Sequence, residues 1–190
     1  MKLVVGLGNP GRRYAGTRHN VGVRIVERLA ERQRIELDEQ RAGGRFGRGR
    51  VAGEDVGLLL PGGWMNESGT PVARALGLLP VADPATDLLL AYDDVDLPFS
   101  RLRLRPGGGA GGHRGVADVL ECLGRRDLPR LRFGVGRPPP SLETSDWVLQ
   151  RFTEAEEAAL PRHLERAAEA AETFVAEGIA GAMDRYNAAE

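Results

Sequence analysis

Lys2-Leu3-Val4-Val5-Gly6-Leu7-Gly8-Asn9-Pro10-Gly11 is the stretch that decides the fold. A short apolar run reaches Leu7 and is stopped at once by Gly-Asn-Pro-Gly, the pattern of a buried strand ending in a loop. Gly6, Gly8 and Gly11 formally match G-x-G-x-x-G, the dinucleotide-binding fingerprint, and Asp38 stands at a plausible distance for its ribose-binding acid. That fingerprint requires a helix opening inside the glycine motif, with its N-terminus at a pyrophosphate. Here Pro10, Gly11, Gly16 and the polar residues between them hold the chain in a loop until about Thr17. The helix is missing where a dinucleotide would need it.

Outward from this strand, residues 18–34 carry Val21, Ile25, Leu29 and Ala30 at helical spacing. Residues 46–52 and 56–60 flank Gly53-Glu54-Asp55 as a hairpin. Thr70-Pro71 reads as an N-cap followed by proline at the first helical position, or the helix opens earlier, near Asn66. Residues 87–92 form a second buried strand that runs into Asp93-Asp94-Val95-Asp96. Residues 101–105 alternate Arg and Leu, a half-exposed strand with its arginines on one face. A glycine loop, residues 107–112, leads into a helix over 115–123, and residues 131–135 form another strand. After Pro138-Pro139-Pro140 comes an alanine-rich amphipathic helix, 154–177, which Pro161 is expected to bend or interrupt. Gly178 stops it, and a last helix follows over 179–189. Alternating strands and helices with one hairpin imply one α/β domain over residues 1–190, a twisted, mixed but mostly parallel sheet with helices on both faces.

Composition narrows the class. The chain has 190 residues, 42% hydrophobic and 28% charged, which fits a soluble globular domain. No apolar run approaches the roughly 20 residues that span a bilayer, and the N-terminal strand enters its glycine loop too soon for a signal peptide. A single cysteine, Cys122, excludes an internal disulfide framework and fits a reducing, cytoplasmic setting; its apolar neighbours place it in a helix core. The net charge of −1 does not suggest a nucleic-acid binder, but its distribution does. Residues 1–137 carry 22 basic against 16 acidic side chains, and residues 138–190 carry 4 against 11. That asymmetry implies a basic face from the front of the chain and an acidic helical tail turned elsewhere, exposed to solvent with its His163.

Four polar segments carry the chemistry. Asn9, Tyr14, His19 and Asn20 sit in a loop ending where a helix starts, and the positive end of a helix dipole favours the uncharged imidazole that a general base needs. His19 taken alone reads equally well as a loop hydrogen-bonding residue. Trp64-Met65-Asn66-Glu67-Ser68-Gly69 is the second segment. The third, Asp93-Asp94-Val95-Asp96, lies at the C-terminal end of a strand, where open α/β sheets place their sites. Repulsion among these acids needs relief, which an imidazole bonded to one carboxylate supplies. Gly107-Gly108-Gly109-Ala110-Gly111-Gly112-His113-Arg114-Gly115 is the fourth, dense enough in glycine to bring backbone close to a ligand or to move as a lid.

These four segments, in this order and spacing, resemble the bacterial peptidyl-tRNA hydrolases. The resemblance continues through Leu131-Arg132-Phe133-Gly134-Val135-Gly136 to the helical tail and so covers nearly the whole chain. It implies that His19 activates the attacking water and Asp93 orients the imidazole, without metal or cofactor. Asn9 and Asn66 then hold the peptide and ester carbonyls, with Asn66 stabilising the oxyanion. Tyr14 and Met65 line the cleft for the tRNA 3′ end and the peptide, and Arg103, Arg105 and Arg132 face the tRNA acceptor arm. It also implies a cytoplasmic monomer whose partner is peptidyl-tRNA. One position departs: the family commonly reads Gly-His-Asn-Gly where this chain has Gly112-His113-Arg114-Gly115, so the contact made by that asparagine is in doubt. An arginine offers a charged fork to phosphate instead.

Other readings have less support in the residues. Relatives of this fold serve as non-catalytic RNA-binding splicing cofactors, but a pure binder has no need of His19, Asp93, Asn9 and Asn66 together. A serine hydrolase lacks its G-x-S-x-G elbow, since Ser68 lies in Asn-Glu-Ser-Gly. Zinc is disfavoured because His19, His113 and His163 are scattered without ligand spacing.

Overall fold

The computed structural model describes residues 1–188. Lys2–Gly6 forms β1, at the heart of a seven-stranded sheet whose order is β2-β3-β4-β1-β5-β7-β6. The other strands are β2 (Glu39–Arg41), β3 (Gly44–Val51), β4 (Glu54–Pro61), β5 (Leu88–Asp94), β6 (Leu102–Arg105) and β7 (Arg130–Gly134). β4, β1, β5 and β7 run parallel; β2, β3 and β6 are antiparallel additions at the two edges. The mixed sheet is thus parallel at its centre, and all four central strands present their C-terminal ends to one side.

The helices are α1 (Val21–Gln33), α2 (Gly69–Leu78), α3 (Pro84–Asp87), α4 (Arg114–Leu123), α5 (Thr144–Val148) and α6 (Glu154–Tyr186). Period-two alternation along β1 splits the core. Val4 points into a cluster with Ile25, Leu29 and Phe174 of α1 and α6. Leu3 and Val5 point the other way, onto Val72 of α2 and Val116 of α4. Each of these fully buried side chains contributes about 1.5–3 kcal/mol relative to exposure. Helices on both faces were expected, and they are found there.

The chain leaves β1 on one face of the sheet, through α1 toward β4, and passes from β5 by way of β6 to β7 with α4 on the other face. The loops after β1 and β5 therefore diverge, opening a crevice at the C-terminal ends of these two neighbours. Gly22 sets how closely α1 approaches that crevice. A Cβ on Gly22 would stand 2.3 Å from the Ala91 carbonyl oxygen and 2.7 Å from that of Leu7. Only glycine lets the first turn of α1 lie directly on the ends of β1 and β5.

Several details depart from the sequence pattern. The β3–β4 turn is Ala52-Gly53, not Gly53-Glu54-Asp55: Val51 pairs with Glu54, and Ala52 and Gly53 have φ of 50° and 86°. Two successive positive φ values match the right-handed twist of a hairpin. α2 is entered from a 3-10 turn, Met65–Glu67, with Ser68 rather than Thr70 at its N-cap. Pro161 does not end its helix; buried Leu160, Leu164 and Ala167 on either side outweigh the roughly 3 kcal/mol that an interior proline costs. The break falls at Gly178, as expected, where φ is 77°. Position 189, the expected end of the last helix, lies outside the described residues.

The acidic tail is not simply exposed to solvent. Glu157, Glu165 and Glu172 of α6 pair with Arg24, Arg28 and Arg32 of α1. Much of the charge asymmetry is thereby satisfied between two helices. His163 is half-buried edge-on against Phe99, and Cys122 is exposed, beside Gly69 of α2, rather than in the core.

Candidate active site

The loop after β1 is built to deliver His19 to the crevice. Successive turns close it: Tyr14 N–H donates to the Gly11 carbonyl, Thr17 N–H to that of Tyr14, and Asn20 N–H to that of Thr17. Asn20 then ties the loop to the start of α1. Its Oδ1 accepts from Asn9 N–H at 2.8 Å, and its Nδ2 donates to the Asn9 carbonyl at 2.9 Å. His19 lies between these anchors, in the 3-10 turn Arg18–Asn20.

The imidazole of His19 meets Asp93 near the end of β5, with Nδ1 2.7 Å from Asp93 Oδ1. Asp93 is 3% exposed. Burial by itself would raise its carboxyl; the imidazoles of His113 and His19 more than offset this and hold it well below the usual carboxylate range. An ionised carboxylate only accepts, so His19 donates from Nδ1, which leaves Nε2 outside this bond, and the residue lines the cleft.

A second imidazole reaches the same oxygen, with His113 Nε2 2.9 Å from Asp93 Oδ1. His113 caps α4, its Nδ1 accepting the Val116 N–H at 3.2 Å, which fixes the proton on Nε2. Its ring also packs edge-on against Tyr92. The other acids of the run are relieved separately: Asp94 by Arg132, Asp96 by Arg137.

These groups open onto a cleft of about 540 Å³. Asn9, Met65 and Asn66 line it with His19 and Asp93. Asn9 Oδ1 is committed to the Met65 N–H at 2.8 Å, which leaves its amide N–H groups for a ligand. Glu67 closes the turn that carries Asn66, its carboxylate accepting the Trp64 N–H at 3.1 Å. Asn66 is exposed, and its amide makes no hydrogen bond within the described residues. Met65 is buried and forms the floor. Tyr14 does not reach the cleft wall; it stands edge-on to Trp64, which does, with ring centroids 5.7 Å apart.

Arg103, Arg105 and Arg132 come together at the β6–β7 edge, where Arg103 pairs in register with Arg132 and Arg105 with Arg130. The intervening Leu102, Leu104 and Leu131 face the α6 side of the core. Arg105 and Arg132 line a smaller cleft of about 280 Å³ under the glycine loop, which shares Tyr92, Asp94, Ala110 and Gly111 with the larger one.

Three features escaped the sequence pattern. His113 joins the His19–Asp93 pair. Thr144, Ser145, Val148 and Leu149, in and just after α5, also line the cleft. Buried Arg130 holds the glycine loop, its guanidinium donating to the carbonyls of Gly108 and Gly109.

His19, Asp93 and His113 also form the one cluster among the described residues with metal-ligand chemistry, their atoms within 4.8 Å of one another. Two bonds of about 2.0 Å to a tetrahedral zinc would spread the ligand atoms to roughly 3.3 Å. The contacts of 2.7 and 2.9 Å are hydrogen-bond lengths, and each has a proton assigned to it. The cluster suits proton handling better than metal binding. No helix among the described residues is long and apolar enough to cross a membrane.

Known proteins give the arrangement a family. The chain matches the peptidyl-tRNA hydrolase family over residues 3–190. It is 51% identical over 188 residues to the peptidyl-tRNA hydrolase of a Roseiflexus species, covering 99% of this chain and 86% of that one. Against the Chloroflexus aggregans peptidyl-tRNA hydrolase it is also 51% identical, over 98% of this chain and 99% of the other. Among solved structures, the peptidyl-tRNA hydrolase of Acinetobacter baumannii superposes with a TM-score of 0.90 at 36% identity, covering 100% of this chain and 96% of that one. With its fold, its four segments and its relatives in agreement, this chain belongs to the peptidyl-tRNA hydrolase family.

Proposed function

We propose that this protein hydrolyses the ester between the peptide and the 3′-terminal ribose of peptidyl-tRNA, with His19 as general base. The observation that carries this is the His19–Asp93 pair, which lines a cleft large enough for an aminoacyl ester and leaves Nε2 of the imidazole outside the bond to the carboxylate. His19 Nε2 takes a proton from water, and the hydroxide adds to the ester carbonyl carbon. The oxyanion that forms is met by the Asn66 amide, while the free N–H groups of Asn9 hold a peptide carbonyl. Collapse of the intermediate breaks the bond to the ribose 3′ oxygen, which takes the proton back from the imidazolium. Asp93 keeps the ring in the orientation that exposes Nε2 and stabilises it once charged.

General base catalysis by such a group contributes about 10²–10⁴ in rate, and one oxyanion donor about 3–4 kcal/mol of barrier. The acceptor arm then lies along Arg103, Arg105 and Arg132, where phosphate neutralisation supplies affinity without reading sequence. Met65 and the Tyr14–Trp64 pair bound the place where the 3′ end turns into the cleft. We place the enzyme in the cytoplasm as a monomer, acting on peptidyl-tRNA without metal or cofactor.

A non-catalytic RNA-binding role is not favoured, because a binder gains nothing from burying an ionised carboxylate under two imidazoles. Incubation with purified peptidyl-tRNA in excess chelator tests the proposal. Free peptide and intact, deacylated tRNA are expected at the rate seen without chelator. Uncleaved substrate, or cleavage abolished by the chelator, would contradict it.

A further inference from the structure

Arg18, next to His19 in the chain, is 1% exposed and is the largest of the fully buried side chains among the described residues. A free surface role is therefore closed to it, and what it touches is unusual. Its guanidinium carbon lies 3.7 Å from the centre of the Trp147 ring, a stacked cation–π contact. One terminal nitrogen donates to the Arg151 carbonyl and the other pairs with Glu156 at 2.7 Å. Glu156 also takes the Thr153 N–H in the capping box that starts α6. The backbone adds two links: Arg18 N–H donates to the Gln150 carbonyl at 3.0 Å, and Thr17 bridges Arg151.

Trp147 belongs to α5 and donates its indole N–H to the Gly136 carbonyl at 2.8 Å. The next two residues, Val148 and Leu149, line the same cleft as His19. A single buried guanidinium thus ties the turn that carries the base to another wall of the same cleft. A lysine would supply the charge but neither the flat face for the indole nor the fork that serves Glu156 and the Arg151 carbonyl together.

We infer that Arg18 is a positioning residue for the ester hydrolysis proposed above: stacked on Trp147, it sets His19 at its working distance from a substrate held against the α5 wall. The inference rests on that proposed reaction. Arg18 touches no substrate, and the basic β6–β7 edge lies elsewhere, so its loss reduces turnover and leaves binding of the tRNA body intact.

The test uses Arg18→Ala and Trp147→Leu in the full chain, with kcat and KM for peptidyl-tRNA measured beside the wild type. Expected is a fall in kcat of tenfold or more in both folded variants, with KM within threefold. Guanidinium chloride at millimolar concentration should restore kcat of Arg18→Ala several-fold by refilling the slot between Trp147 and Glu156, whereas equal sodium chloride should not. A purely structural role would lower the folded fraction and give no such rescue. If Arg18→Ala fails to fold, Trp147→Leu decides alone. Wild-type kcat in a folded variant, a loss seen only in KM, or a loss that tracks the unfolded fraction without rescue would overturn the inference. Failure of the wild type to cleave peptidyl-tRNA would instead overturn the proposed reaction, so the two are distinguishable.

Discussion

His113 Nε2 lies 2.9 Å from Asp93 Oδ1, the same oxygen that receives the N–H of His19. Asp93 is therefore held from two sides, by the loop after β1 and by the N-terminus of α4. Neither imidazole alone would compensate the burial of an ionised carboxylate as well as the pair does.

Replacing His113 with Phe keeps the ring but removes one donor. Asp93 then leans on His19 alone, and its carboxyl rises toward the ordinary range. We expect kcat to fall about tenfold, equivalent to about 1.4 kcal/mol, with KM for peptidyl-tRNA little changed. Steady-state kinetics on the folded variant checks this; a rise in KM at constant kcat would assign His113 to substrate binding.

Asp93→Asn should be costlier, because an amide cannot stabilise the imidazolium. A loss of about 10²–10⁴ in kcat is expected. The sign of the pH effect on stability also follows. The Asp93 carboxyl is depressed in the folded state, so its stabilisation is complete above the unfolded value of about 3.9 and is lost as pH falls through the folded one. Thermal denaturation of wild type and Asp93→Asn should give a gap that persists from neutral pH down to about pH 5 and narrows below about pH 4. A gap that closes near neutrality would mean that Asp93 is not held ionised.

Asn66→Ala removes the exposed amide assigned to the oxyanion. The expected cost is about 3–4 kcal/mol, or 10²–10³ in kcat, with tRNA affinity unchanged. Single-turnover hydrolysis separates the chemical step from binding. A loss confined to KM would move Asn66 from the oxyanion to ground-state contacts.

Arg103 and Arg105 should act together on the nucleic acid. Changing both to Gln is expected to weaken tRNA binding and to reduce the slope of log K against log salt by about one to two, through lost counterion release. Titrations at several salt concentrations measure the slope. An unaltered slope would place the tRNA on another face.

How much of this could be read from the chain follows from what each feature requires. β1, β5 and their polar ends were legible because continuous apolar runs cut off by glycine or aspartate have few other solutions. β2 was not: Glu39, Gln40 and Arg41 are all exposed and held by backbone pairing to β3, so no hydrophobic period marks them. α5 is equally silent, five residues with only Val148 buried. His113 stands in the glycine segment with no pattern that ties it to the site, since only the path of that loop brings it to Asp93. Its place just before the apolar positions Val116 and Val119, where a cap belongs, was the available hint. Arg18 carried no signal, because an arginine in a polar loop reads as surface. Asn9 and Asn66 were assigned on resemblance, and the structure places both on the same cleft as His19.

The most direct measurement is single-turnover hydrolysis of peptidyl-tRNA by His19→Ala, with circular dichroism and tRNA binding measured on the same preparation. The account predicts a folded protein that binds tRNA as the wild type does and cleaves the ester at least 10²-fold more slowly. Cleavage at near wild-type rate by that variant would show that the proton is taken by another group.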